Sequence, residues 1–267
     1  MFFFRCYDLC HVFGHFYLIY LKASKSTPMN DKTIAEIVKE YNHAAKVLDR
    51  YQIDYCCGGK IKFNDICKKK NLDPVKILNE IESTNDLIID ISFQEINNWP
   101  IDLICDYLEK THHRYLKEFF EVLAPKMSKL VSRHGENHPE LKEIASVMES
   151  AQYELLVHLK KEELILFPAI RKYKLAQINN QSIEAAPFGS IKNPIQVMEN
   201  EHNHEGERLE ILKKLSSNFT PPEDACQTYQ SVFRMLKEFF DDMHKHVYIE
   251  NHILFPKALS LENYLNN

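Results

Sequence analysis

Two segments, His158-Leu-Lys-Lys-Glu162-Glu-Leu-Ile-Leu166-Phe167-Pro168 and His246-Val-Tyr-Ile-Glu250-Asn-His-Ile-Leu254-Phe255-Pro256, share one pattern. Each reads His, three residues, Glu, three residues, Leu-Phe-Pro. On an α-helix, residues four apart stand above one another on one face. Each copy therefore presents an imidazole and a carboxylate together. Leu155, Ile165, Leu166 and Ala169 share the stripe of the first pair, and Phe239, Met243, Ile253 and Leu254 that of the second. Ligand-type side chains thus take core positions of amphipathic helices. An ionised carboxylate is costly there without a partner. A divalent iron, manganese or zinc ion is a partner suited to this donor mix.

Working outward, His112 in Thr-His-His-Arg and His202 in Glu-His-Asn-His lie upstream of the two pairs. The repeat offset is 88 residues for the His/Glu pairs and 90 for these histidines. Two related helix hairpins, folded face to face, make a four-helix bundle with four imidazoles and two carboxylates pointing inward. Six donors exceed the needs of one tetrahedral zinc and fit two metals that share carboxylate bridges. On the first helix, Leu108, His112, Tyr115 and Phe119 form a stripe, while Glu109, Lys110, His113 and Lys117 populate the wetter side. His112 is accordingly expected as the ligand. Glu109 and Glu199 precede His112 and His202 by three residues; Glu109 reads as a solvated charge, and Glu199 is left outside the ligand set. His113, His204, His244 and His252 are expected at the surface.

The 267 residues include 45% hydrophobic side chains and only six glycines, which suits a helical protein with a substantial core. A net charge of −5 offers no electrostatic case for nucleic acid. Seven irregularly spaced cysteines, in a chain large enough not to need disulfides, read as reduced thiols in a cytoplasmic setting.

In order, residues 1–28 form an atypical, apolar and aromatic extension. Arg5, Asp8, His11 and His15 interrupt it, so a membrane or export role is not expected, and Cys6 and Cys10 fall outside the chemistry. Residues 30–84 read as a small helical domain. Thr33-Ile-Ala-Glu36 is a capping box, Asn42 caps the next helix, Asn64 starts another that carries Cys67, and Asp73-Pro74 opens the last. Between them lies Asp54-Tyr-Cys56-Cys57-Gly58-Gly59-Lys60, a turn whose glycines are expected at φ > 0. Lys60 beside it would favour thiolates at Cys56 and Cys57, making them candidate reactive thiols; a bond between adjacent cysteines is not expected. Cys67, Cys105 and Cys226 read as small apolar packers. Residues 85–99 form a linker and 100–262 the bundle. Within the bundle, 174–194 is a long irregular connection expected to act as a lid.

Together these features resemble one family. The bundle is similar to a hemerythrin-like di-iron domain. Asp54-Tyr-Cys-Cys-Gly-Gly-Lys60, Gly189-Ser-Ile-Lys-Asn-Pro194, Met198-Glu-Asn-Glu-His202 and the two Leu-Phe-Pro endings resemble the repair-of-iron-centres proteins. The resemblance implies an all-α fold, a hemerythrin-like four-helix bundle preceded by a small helical N-terminal domain. It also implies two non-haem iron ions, with His112, His158, His202 and His246 as ligands and Glu162 and Glu250 as bridges. The implied activity is repair of iron–sulfur clusters damaged by nitric oxide or peroxide, by supply of iron rather than by enzymatic turnover. The implied setting is a cytoplasmic homodimer that meets damaged iron–sulfur proteins. A hemerythrin that binds oxygen or nitric oxide, or a di-iron enzyme reducing nitric oxide or peroxide, are the competing expectations.

Overall fold

A computed structural model of the chain describes residues 31–41, 44–83, 91–183 and 186–266. The extension at 1–28, Asn42 and residues 85–90 of the linker lie outside the described residues. Among the described residues, five short helices come first: α1 (Ile34–Glu40), α2 (Ala44–Arg50), α3 (Phe63–Lys70), α4 (Pro74–Ser83) and α5 (Phe93–Asn98). The Thr33–Glu36 capping box is formed on both sides, and Asp73 Oδ1 accepts from the backbone N–H groups of Val75 and Lys76. α3 starts at Phe63, one residue before the expected Asn64.

Four long helical rods follow. The first joins α6 (Ile101–Leu108) to α7 (Arg114–His134) through a π-helical turn, π1 (Glu109–His113). The second joins α8 (Glu140–Lys161) to α9 (Phe167–Ile178) through π2 (Glu162–Leu166). The third is α10 (Lys192–Leu215), and the fourth joins α11 (Gln227–Ile249) to α12 (Phe255–Leu265) through π3 (Glu250–Leu254). α7 packs on α8 and α11, α8 also on α10, and α9 on α6 and α12, which closes a four-rod bundle. Among the described residues there is no strand, and no helix is long and apolar enough to cross a membrane.

A π turn inserts one residue into the helical register, and all three sit where the sequence places ligand-type residues. In π2 and π3 the backbone N–H of Phe167 and Phe255 reaches back five residues, to the carbonyls of Glu162 and Glu250. The stripes therefore advance by one after each carboxylate. Phe167 and Ile170 are buried while Ile165 is exposed, against the even-helix expectation. Pro168 and Pro256 follow at the first turn of the resumed α-helix, where a missing N–H is tolerated.

The described part of the 174–194 connection is fastened rather than free. The buried Glu262 accepts from Ser190 Oγ at 2.6 Å, Ile191 N at 2.7 Å and Tyr173 Oη at 3.1 Å. Gly189, at φ 71°, makes the turn before it. This tethering runs against the expected lid.

Candidate metal centre

Two groups of buried donors meet inside the bundle and share both carboxylates. His113, Glu162, His246 and Glu250 each offer a ligand atom within 4.8 Å of one another, as do His158, Glu162, His202 and Glu250. Glu162 Oε2 lies 3.4 Å from His158 Nε2 and 3.5 Å from His113 Nε2. Glu250 lies 3.1 Å from both His202 Nε2 and His246 Nε2. Both carboxylates are 0% exposed, and the two oxygens of Glu162 have no hydrogen-bond partner.

The outer nitrogens explain which way the imidazoles present themselves. His113 Nδ1 donates to Glu163 at 2.9 Å, His158 Nδ1 to Glu201 at 2.8 Å and His202 Nδ1 to Asn251 Oδ1 at 2.8 Å. A neutral imidazole that donates from Nδ1 carries its lone pair on Nε2. Those lone pairs converge on the carboxylates, and His158 and His202 hold Nε2 only 3.3 Å apart. Burial lowers the His158 value and pushes His113 down to about 3, which keeps both rings neutral. Burial, and then the neighbouring Glu250, raises Glu162 well above the usual carboxylate range. Partnerless buried carboxylate oxygens facing imidazole lone pairs are costly alone and are a donor set that suits a divalent cation. His113 and His246 belong to one donor group and His158 and His202 to the other, while Glu162 and Glu250 belong to both.

The first-helix residue in this set is His113, not His112. An unbroken helix puts His112 four residues after Leu108 on the inward stripe; the inserted residue of π1 carries the inward position to His113, five residues on. His113 is 0% exposed, and Leu116 and Phe120 continue its stripe. His112 instead bonds Asp242 through Nδ1 at 2.8 Å and stacks on His246 with ring centroids 5.4 Å apart. Its expected neighbour on the wet side, Glu109, forms a two-pronged ion pair with Arg171. His244 is also buried rather than superficial, His252 is half-buried, and His204 is exposed.

Sequence reasoning missed Glu205. It stands on the α10 stripe of Met198, His202, Leu209 and Leu212, is 3% exposed, and has Oε1 without a partner. The signal was its inward position on that stripe. With His158, Lys161, Glu201 and His202 it lines a cavity of about 160 Å³ on one side of the centre.

The Cys-Cys-Gly-Gly turn docks on α10 at His202 and Gly206. Asp54 organises it: Oδ1 accepts from the N–H of Cys56 at 2.9 Å and of Cys57 at 3.1 Å, and Oδ2 from Gly58 N–H at 2.8 Å. The Cys57 thiol donates to the carbonyl of His202 at 3.3 Å. The backbone carbonyl of Cys56 accepts from His252 Nε2 at 2.7 Å and from Asn251 Nδ2 at 3.5 Å. Asn251 thereby links the turn to His202. Two expectations fail at this turn. Among the described residues only Gly189 is a glycine with positive φ, so Gly58 and Gly59 serve close approach rather than left-handed backbone. Lys60 pairs with Glu199 at 2.7 Å instead of serving the thiols. The Cys56 thiol is held well above the usual range by its hydrogen bond to Cys57, by burial and by the Asp54 charge, so it is a thiol and not a thiolate. The two sulfurs are 3.8 Å apart.

Residues 106–258 match the hemerythrin HHE cation-binding domain, and residues 30–85 match a domain of unknown function, DUF542, the N-terminal domain of ScdA. The first match spans more than half of the chain. Over 232 residues the chain is 31% identical to the iron–sulfur cluster repair protein YtfE of an Enterobacter species, covering 87% of this chain and 98% of that protein. It is 29% identical over 231 residues to the iron–sulfur cluster repair protein ScdA of Staphylococcus haemolyticus, covering 85% and 98%. YtfE of Escherichia coli O8 is 30% identical over 232 residues, covering 87% and 98%. This chain belongs to the ScdA/YtfE family. Its bundle is a hemerythrin-type cation-binding domain, and the buried His/Glu set occupies that domain's interior.

Proposed function

We propose that the protein holds two iron ions between its paired carboxylates and supplies iron to iron–sulfur clusters damaged by nitric oxide or peroxide. The observation that carries this reading is the pair of fully buried carboxylates, each shared by both donor groups and faced by imidazole lone pairs. The repair role is supported by the relatives, which are iron–sulfur cluster repair proteins. Bound iron would supply a ferrous/ferric couple whose ferrous form is the more labile. The chain's own residues do the rest. Glu163, Glu201 and Asn251 fix the imidazole tautomers and orientations, and such outer partners sharpen metal affinity by about 10- to 100-fold. Phe167 stacks on His113 and Phe255 on His202. The Cys57 thiol packs on the backbone of His202, one of these donors. A gas-binding role has one observation in its favour, the cavity beside His158 and His202, which has room for a diatomic molecule.

Iron transfer separates the two readings. Protein purified without oxygen is expected to carry about two iron ions per chain and to lose them as an added damaged cluster protein recovers. His113→Ala should lower the iron content, whereas His112→Ala should leave it close to that of the parent. Replacing Cys56 and Cys57 by Ala should preserve iron yet slow recovery. A stable, reversible gas adduct with iron retained throughout would reject the repair reading.

A further inference from the structure

Outside the bundle centre, a second convergence of unlike donors lies where the Cys-Cys-Gly-Gly turn meets α11. Asp54, Cys56 and His244 each offer a ligand atom within 4.8 Å of one another. We propose that these three side chains form a separate, mononuclear site for a borderline divalent cation such as iron(II), cobalt(II) or zinc(II), bound through carboxylate oxygen, thiolate sulfur and imidazole nitrogen.

Each donor is already placed. Asp54 needs no rearrangement, because three backbone N–H bonds fix its carboxylate, and Oδ1 sits 3.1 Å from Cys56 Sγ. On a tetrahedral ion with bonds of roughly 2.0–2.3 Å, neighbouring ligand atoms are about 3.3–3.8 Å apart, so the carboxylate–sulfur pair is close to bound geometry. His244 has its tautomer set by the chain. Nδ1 lies 2.8 Å from the Phe240 carbonyl, which can only accept, so Nδ1 carries the proton and Nε2 the lone pair. Its ring is clamped between Phe240, at 4.2 Å between centroids, and Tyr55, at 5.7 Å. Locked first-contact side chains are what a preorganised site requires.

The chemistry balances without a redox step. The entering cation takes the place of the Cys56 thiol proton, which leaves to solvent, and one S–H bond is exchanged for one sulfur–metal bond. Sulfur distinguishes this site from the bundle centre, whose donors are nitrogen and oxygen only. Cys57 stands between the two, 3.8 Å from Cys56 Sγ on one side and against the His202 carbonyl on the other. Gly206 gives Cys57 room to pack closely on α10, since a Cβ there would meet Cys57 Sγ at 3.2 Å. That the bound ion is iron in transit rests on the repair reading. Binding itself rests on the three donors alone.

The test is an anaerobic cobalt(II) titration of the full chain with its bundle already loaded with iron. One cobalt per chain should bind with a thiolate-to-cobalt charge-transfer band, which a nitrogen–oxygen centre cannot produce. Cys56→Ser should abolish the band. His244→Gln and Asp54→Asn should each weaken binding at least tenfold, and Cys105→Ser should leave it unchanged. Circular dichroism and iron content identify any variant that fails to fold; Asp54→Asn keeps an acceptor for the turn and carries the test if His244→Gln does not fold. Absence of the band in the parent, or its survival in Cys56→Ser or unweakened in a folded His244→Gln or Asp54→Asn, overturns the site. Neither outcome depends on cluster recovery, so the repair reading stands or falls separately.

Discussion

Glu205 shows what a single buried carboxyl does to the pH response of the molecule. Burial pushes it up to about 7 from a usual value of 4.5, against the pull of the Arg208 guanidinium. A folded-state value above the unfolded one means that folding favours the protonated form. The stabilisation is complete below about pH 4.5 and is lost as pH rises through 7. The shift corresponds to a loss on the order of 3 kcal/mol across that window. In metal-free protein, Glu205→Gln should therefore flatten the fall in stability between about pH 5 and pH 8, measured by denaturant unfolding at each pH. An unchanged slope would show that Glu205 is not the titrating group. At this scale the sequence was most informative where chemistry repeats. His158, His202, His246, Glu162 and Glu250 were legible from spacing alone. Glu205 was not, because one inward carboxylate without a repeat looks like any helical Glu.

The three π turns decide more than any single side chain. Each adds a residue beside the centre, so a stripe drawn with even helical spacing is correct up to the turn and off by one after it. That offset exchanged His112 for His113, while the His/Glu pairs survived because π2 and π3 begin at the carboxylates themselves. The Cys-Cys-Gly-Gly turn is the other element whose rationale changed. Gly59 is required by contact: a Cβ there would come within 2.5 Å of His252 Nε2 and would press on the Tyr55 carbonyl. Gly59→Ala should lower thermal stability by about 1–3 kcal/mol and loosen the turn from π3. Protease accessibility at the turn is the direct check, and a fully protected variant would contradict the contact argument. Gly58, whose Cβ would meet Asp54 at 3.1 Å, is less tightly constrained.

Taken as a whole, the small N-terminal domain is seated against α10 and α11, beside His202 and π3. Tyr248 reaches across with a buried hydroxyl that donates to the Ala35 carbonyl at 2.6 Å, and its ring packs on Phe93 at 4.1 Å. Tyr248→Phe removes the hydrogen bond and keeps the packing. It should cost about 1 kcal/mol and raise hydrogen exchange in α1 while leaving iron content unchanged. Equal exchange in parent and variant would mean that this bond does not hold the domains together. Sequence by itself determined the helical class, the doubled hairpin, and five of the six side chains that the fold brings together inside the bundle, because helical periodicity and a repeated motif are local properties. Only the tertiary structure decided which first-helix histidine faces the centre, that Glu162 and Glu250 each serve both donor groups, and that Cys56 meets His244 from a helix some 190 residues away. Those outcomes depend on a one-residue change of helical register and on the docking of two domains, and neither leaves a periodic trace in the chain.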